Sequence, residues 1–206
     1  GRQLTASPLF SSSLVGASAL MLAGNAAQQE ALLPGIVDGS AILTLALDES
    51  SRHQPEQTAF KAEQTGDDFS LNGKKTFVAE GMSATHYVVT TRTAGNPGDV
   101  QGISLFLVPV QADGIERTPL PTIDSRDYAR LSFNDVRVDS TALLGSPGEC
   151  MPVLEEILDR ARIGIAAEML GTASQAFDMT LDYLKTREQF GQVIGSFQAL
   201  GHSQGI

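Results

Sequence analysis

The run REQFGQVIGSFQ, Arg187 to Gln198, holds the end of one helix, two glycine bends and the start of another helix. Arg187 stands in or just past the last turn of a long helical pattern, where a cation is favoured by the helix dipole and can satisfy terminal carbonyls. Phe190-Gly191 makes a tight bend, Gly195 permits a second, and Ser196 is placed to cap a new helix opening on Ser-Phe-Gln. An arginine fork, an aromatic edge and helix N–H groups would then face one space, which suits a diphosphate.

Working back from Arg187, Leu154, Leu158, Ala161, Ile165, Met169, Ala173, Ala176 and Leu184 recur at steps of three, four or their multiples. That period predicts a helix from about Met151 to Thr186, with Pro152 harmless in its first turn. At ~1.5 Å per residue it is roughly 54 Å long, a length that belongs to a bundle. Gly164 and Gly171 share a face, and the cost of up to about 1 kcal/mol for each points to close approach of a neighbouring helix or a bound ligand.

From about Ala41 to Leu144 the pattern changes to strands: AILTLAL (41–47), TAFKAEQ (58–64), FSLNGKKTFVA (69–79), HYVVTTR (86–92), ISLFLVPV (103–110) and ARLSFNDVRV (129–138). Turns are expected at Gly66-Asp67-Asp68, Gly95 to Asp99, Asp113-Gly114 and Asn134-Asp135, and Asn72-Gly73 is the strongest short hairpin signal. Ahead of this lie two helical stretches within residues 8–33, broken at Gly24-Asn25 and stopped at Pro34-Gly35. The fold class is therefore α+β: a helical hairpin, a central antiparallel β-barrel or sandwich, and a long bundle helix after it. Domain bounds are expected at 1–37, 38–148 and 149–206. No βαβ alternation or glycine-rich strand-to-helix turn supports a Rossmann site.

Composition excludes several functions. The 206 residues carry 24 acidic and 14 basic side chains, a formal charge of -10, which argues against binding a nucleic-acid backbone. The apolar run Leu14 to Ala23 is too short to span a bilayer and reads as a core helix. Cys150 is the one cysteine, read as a small buried residue near a helix start. His53, His86 and His202 share no ligand spacing, so no metal is expected. The chain starts at Gly1 rather than Met, and is read as a piece of a longer polypeptide.

YLKTREQFGQVIGSFQALGH (183–202) resembles the signature of the acyl-CoA dehydrogenase family: Arg, two variable residues, Phe-Gly, a few residues, then Phe-Gln. Other segments follow in the family's order: GNAAQQEALLPGIVDG (24–39), LALDE (45–49), LNGKKTFVAEG (71–81), ARLSFNDVRV, LLGSPGE (143–149) and DRAR (159–162). The resemblance covers essentially the whole chain, and it implies a central antiparallel β-barrel or sandwich domain flanked by an N-terminal helical remnant and the first helices of a C-terminal four-helix bundle. Within the family it resembles small subunits of dicarboxylyl-type enzymes such as pimeloyl-CoA dehydrogenase.

The resemblance implies a cytoplasmic, FAD-dependent oxidoreductase that converts an acyl-CoA thioester to the trans-enoyl-CoA. It implies a homo- or hetero-oligomeric dimer or tetramer, with an electron-transfer flavoprotein or similar acceptor as partner. By motif match, Leu45, Leu47, Asp48, Phe77, Val78 and Ala79 would line the isoalloxazine ring. Arg187, Gln189, Phe190 and Gln198 would meet the dinucleotide of a neighbouring subunit's FAD, and Asp159 and Arg162 would meet the acyl-CoA.

Oxidation of the α,β bond needs a carboxylate base on the face of the substrate opposite the flavin. The commoner family position for that base lies downstream of Ile206; the minority position falls on Ala161. No catalytic residue is therefore assigned in this chain. The family's Gly-Ser-Asp loop becomes SSRHQPEQ (50–57), its stacking Trp becomes Phe77, a hydroxyl residue becomes Ala79, and a Thr becomes Asp48. A carboxylate beside the flavin disfavours the charge of a reduced ring unless it is protonated or turned away. These departures motivate an alternative expectation: a catalytically degenerate structural subunit of a hetero-oligomer.

Overall fold

In the computed structural model, which describes residues 1–200, the central stretch becomes one sheet of eight strands. These are β1 (Leu43–Ala46), β2 (Lys61–Thr65), β3 (Asp68–Ala79), β4 (His86–Arg92), β5 (Ile103–Pro109), β6 (Ile115–Leu120), β7 (Tyr128–Asp139) and β8 (Leu143–Leu144). Their order is β6-β7-β3-β2-β4-β5-β8, with β1 paired to β4. The expected α+β class, a β domain between helical segments, is what the structure has; of the barrel and sandwich alternatives the sheet does not close into a barrel. It is mixed rather than purely antiparallel, because β1 runs parallel to β4 from Leu43 beside His86 to Ala46 beside Val89, and β2 meets β4 in parallel at Lys61 and Arg92. Helices between β1 and the start of the chain bring β1 to the sheet from outside the hairpin series, which frees it to run parallel.

Burial explains why β4 and β5 read as apolar runs while β7 alternates. Tyr87, Val89, Phe106 and Val108 enter a core with Phe60, Phe69, Leu71, Leu131 and Phe133. Val88, Ile103 and Leu105 point the other way, into a second core with Val15, Leu20, Leu43, Leu154 and Ile157. Both faces of these two strands are covered, so neither face needs polar residues. Edge-to-face ring pairs fix the first core: Phe60 with Phe133 at 5.1 Å and Phe69 with Phe106 at 5.0 Å. Strand β6 had no sequence signal of its own; Pro119 within it is compatible only with the edge position it occupies.

The turn signals at Asn72-Gly73 and Asn134-Asp135 are also corrected. Neither is a turn: they face each other across β3 and β7, where Asn134 and Asp135 together oppose Asn72 in a β-bulge. Asp135 takes a positive φ of 51° and its N–H donates to Asn72 Oδ1 at 2.8 Å. Ser70 Oγ donates to Asp135 Oδ1 at 2.6 Å and accepts from Asn72 Nδ2 at 2.9 Å. Gly73, at φ 150°, lies under the Phe60 ring, and a Cβ there would meet that ring at 2.6 Å. Gly73→Ala is expected to destabilise the protein by about 1–3 kcal/mol through overpacking, read by urea unfolding.

A π-helical stretch (Leu9–Gly16) leads into α1 (Ala17–Ala23), and α2 (Ala26–Asp38) follows the break at Gly24-Asn25. Asn25 and Gln28 form a reciprocal capping box, and Gln28 Nε2 donates to the carbonyls of Thr141 (2.7 Å) and Leu143 (3.0 Å), tying α2 to β8. Pro34 does not stop α2. Both Pro34 and Glu30, whose carbonyl loses its helical donor, are exposed to water, and the helix ends instead at Gly39 with φ 84°.

The long helix α3 (Met151–Thr186) has the expected bounds. Cys150, buried just ahead of it, donates its thiol to the Leu144 carbonyl. The chain divides into two compact units, Ala6–Arg162 and Gly1–Thr5 with residues from Ile163 on. In the second unit the expected close approach at Gly171 is made by the chain's own N-terminal residues: a Cβ there would meet Arg2 N and Gly1 Cα at 3.0 Å. Arg2 pairs with Asp178 at 2.5 Å alongside. Among the described residues no helix is long and apolar enough to cross a membrane. The end of the expected third domain and His202 lie outside the described residues.

Candidate functional site

In the Ala6–Arg162 unit, the end of β1 is drawn against the end of β3. Thr44 Oγ1 donates to the Ala79 carbonyl at 2.6 Å, and the Thr76 N–H donates to the Asp48 carbonyl at 2.7 Å. The structure thus brings Leu45, Leu47 and Asp48 together with Phe77, Val78 and Ala79. A second bulge, where Thr76 and Phe77 oppose one residue of β7, places Phe77 at φ 50° with the residue 51% exposed. An aromatic residue in the left-handed region is strained by about 1–3 kcal/mol, and such strain concentrates at functional positions. Leu45 and Ala79 are half-buried beside it. Val78 and Leu47 differ: Val78 is 1% exposed and Leu47 7%, so both side chains belong to the cores.

Sequence reasoning missed the buried ion pair that holds this wall. Lys75 Nζ donates to the Leu47 carbonyl (2.9 Å), Glu49 Oε1 (2.8 Å) and Thr90 Oγ1 (2.8 Å), which uses all three of its N–H donors. Glu49 in turn accepts the N–H groups of Ala59 and Phe60. Desolvation lowers the Lys75 pKa to about 8, against the opposing pull of Glu49 and then Asp48. A readable signal existed: Lys75 shares the inward parity of Phe69 and Leu71 on β3, and an inward lysine requires a partner. Also unforeseen is Glu80, at φ 53°, whose carboxyl is pushed up by burial and then by Asp127. His53, expected to be an ordinary surface residue, places Nδ1 3.1 Å from Asp48 Oδ1.

Asp159 and Arg162 are paired on the exposed side of α3 at 2.6 Å, and Arg162 also reaches Glu155 at 3.2 Å. Those two acceptors raise the already high Arg162 pKa, Asp159 first. Ala161, between them, packs against the second core.

In the other unit, β9 (Glu188–Gln189) and β10 (Gln192–Val193) form a small hairpin whose tip is the expected Phe190-Gly191 bend. Both tip residues have positive φ, 53° and 77°, as a two-residue type I′ turn demands. Phe190 is 92% exposed, and its ring meets Phe197 edge-on at 6.3 Å. Arg187 and Gln189 are exposed, and the Arg187 carbonyl accepts the Ile194 N–H at 2.8 Å. Ser196 is not a helix cap: it ends a 3₁₀ turn, and its Oγ donates backward to Val193 at 2.6 Å. Phe197 is extended, and helical backbone resumes at Gln198. Gly195 serves close packing, since a Cβ there would meet the Leu184 carbonyl at 2.8 Å. Among the described residues no His/Cys/Asp/Glu group could hold a metal ion.

Two family models match this chain: "Acyl-CoA dehydrogenase, middle domain" over residues 48–136 and "Acyl-CoA dehydrogenase, C-terminal domain" over 148–205. A probable acyl-CoA dehydrogenase of Bacillus subtilis is 34% identical over 190 residues, 90% of this chain and 50% of that protein. Acryloyl-CoA reductase (NADH) of Anaerotignum propionicum is 30% identical over 204 residues, 96% of this chain and 51% of that protein. The structure of butyryl-CoA dehydrogenase from Megasphaera elsdenii aligns with a TM-score of 0.89 at 28% identity, over 96% of this chain and 53% of that one. The chain spans about half the length of these relatives.

Proposed function

The chain belongs to the acyl-CoA dehydrogenase family, and on that premise we propose that it is part of an FAD-dependent enzyme oxidising the α,β bond of an acyl-CoA. Residues 1–37, 38–148 and 149–206 then correspond to the tail of an N-terminal helical domain, the middle β domain and the start of the C-terminal helical domain. The observation that carries the reading is the wall made by Phe77, Leu45 and Ala79, held in place by the Thr44–Ala79 and Asp48–Thr76 hydrogen bonds.

The residues fit a flavin. A half-exposed aromatic residue beside half-buried aliphatic side chains suits a flat aromatic tricycle; of the two carboxylates at the end of β1, Glu49 is engaged by Lys75 and Asp48 by His53. When bound, FAD would accept the hydride leaving the β-carbon of the thioester. Phe77 would supply the aromatic surface, Ala79 only backbone contacts, and the Asp159–Arg162 pair a polar anchor for the CoA portion. Arg187, Gln189, Phe190 and Gln198 would hold the dinucleotide of an adjoining subunit's FAD, with the guanidinium as the anionic group's partner. Partners in this reading are an acyl-CoA, an electron-transfer flavoprotein or similar acceptor, and other subunits of a dimer or tetramer, in the cytoplasm.

FAD titration of the full-length protein, followed by flavin fluorescence, tests the reading. Arg187→Ala is expected to weaken FAD uptake by about 10- to 100-fold, the loss of one charge-assisted hydrogen bond, with an unchanged melting temperature because Arg187 is exposed. Equal uptake by both forms contradicts the assignment of Arg187.

A second reading, a structural subunit without chemistry, is favoured by one observation: Ala161, at one family position for the base, is half-buried against the second core and carries no acid. It predicts FAD uptake by the assembled complex with no turnover of acyl-CoA by the full-length protein alone.

A further inference from the structure

Asp48 and Glu49 are consecutive carboxylates on the wall, and each has its own side-chain partner. Glu49 faces inward to Lys75 at 2.8 Å, whose ammonium is buried. Asp48 faces outward to His53 Nδ1 at 3.1 Å, with the carboxylate 29% exposed and the imidazole 50%. The Asp48 carbonyl is bonded to the N–H of Thr76, the residue before Phe77, so this carboxylate is tethered to the ring-bearing bulge. The loop between them is short and internally tied: Ser50 Oγ accepts from the Arg52 N–H at 3.2 Å. The nearest charged neighbours in contact with this segment are Glu49 and Lys75, and Lys75 is already committed to Glu49.

We propose that His53 is a positioning residue for a flavin: it engages the Asp48 carboxylate and thereby lets the wall accept the added negative charge of a reduced flavin ring. The inference rests on the functional reading above. Without the imidazole, the Asp48 carboxylate would face the ring unpaired, and a nearby like charge disfavours the reduced form. With it, the carboxylate oxygen is held by the imidazole Nδ1 at 3.1 Å and turned to the loop.

The test is the midpoint potential of the flavin bound to the full-length protein, measured for wild type, His53→Ala, Asp48→Asn and the double variant. His53→Ala is expected to weaken the preference for reduced flavin about tenfold, a fall of about 30 mV for a two-electron couple. Adding Asp48→Asn to His53→Ala should return the potential to near the wild-type value, because the unpaired charge is gone. A loop with a merely structural role would shift the melting temperature and leave the potential alone. A potential unmoved by His53→Ala, or a double variant shifted as far as the single one, overturns this inference while leaving the functional reading standing. Wild-type protein that takes up no flavin overturns both.

Discussion

Glu49→Ala is expected to lower the unfolding free energy by about 3–5 kcal/mol, the cost of stranding one member of a buried ion pair. Lys75 has no exposed side-chain surface, and after the substitution its ammonium keeps only the Leu47 carbonyl and the Thr90 hydroxyl. The N–H groups of Ala59 and Phe60 lose their acceptor as well. Lys75→Met should be far milder than Glu49→Ala, since it removes the buried charge and leaves a carboxylate that water can reach. Titration gives the same pair a second signature. The Lys75 pKa is about 8 folded against 10.5 unfolded. Between those values the unfolded chain holds a proton that the folded chain has released, so stability rises with pH across that window. The Lys75 contribution to that rise amounts to about 3 kcal/mol, and it is absent in Lys75→Met. Urea unfolding of the two proteins at pH 7.5 and 10 measures the difference; parallel pH dependences would mean that Lys75 titrates normally and the pair is not sequestered.

Arg92→Ala is expected to cost a similar amount, about 3–5 kcal/mol, by a different route. The Arg92 guanidinium is an internal tie for two loops. Nε donates to the Thr58 carbonyl at 2.7 Å, one terminal nitrogen to Ala94 and Gln101, and the other to Glu56 and Asp99 at 2.8 and 3.2 Å. Burial lowers its pKa, and Asp99 and Glu49 oppose that shift, so the group stays charged. Removing it leaves five carbonyls without this donor. Arg92→Lys should recover only part of the loss, because three donors on one nitrogen cannot span five acceptors held by two loops. Hydrogen exchange would find residues 94–101 deprotected in both variants, and unchanged protection there would show that the loop holds itself.

Much of this fold was legible in the sequence because local signals and tertiary packing agree. The helix ending at Thr186 and the strand His86–Arg92 match their sequence readings at both ends. Where local chemistry was overruled, the cause is pairing at long range. Asn72-Gly73 and Asn134-Asp135 each favour a turn alone, yet side by side they satisfy one another through Ser70 and become a bulge. Pro34 breaks helices in general but sits on an exposed side where its missing hydrogen bond costs little. At the candidate site the residues of the wall came from motif resemblance, and the structure adds how they are held. The parity of β3 placed Lys75 inward, but which carboxylate would meet it depended on β1 joining from across the chain. His53 carried no signal of its own, because its contact with Asp48 depends on the path of the loop between them.

The most direct test of the account is anaerobic addition of acyl-CoA to the purified, flavin-loaded full-length protein, with the flavin absorbance followed. Bleaching of the oxidised flavin band with stoichiometric appearance of enoyl-CoA is the expected result. A full-length protein that neither takes up FAD nor binds acyl-CoA, alone or with its partner subunits, would contradict it.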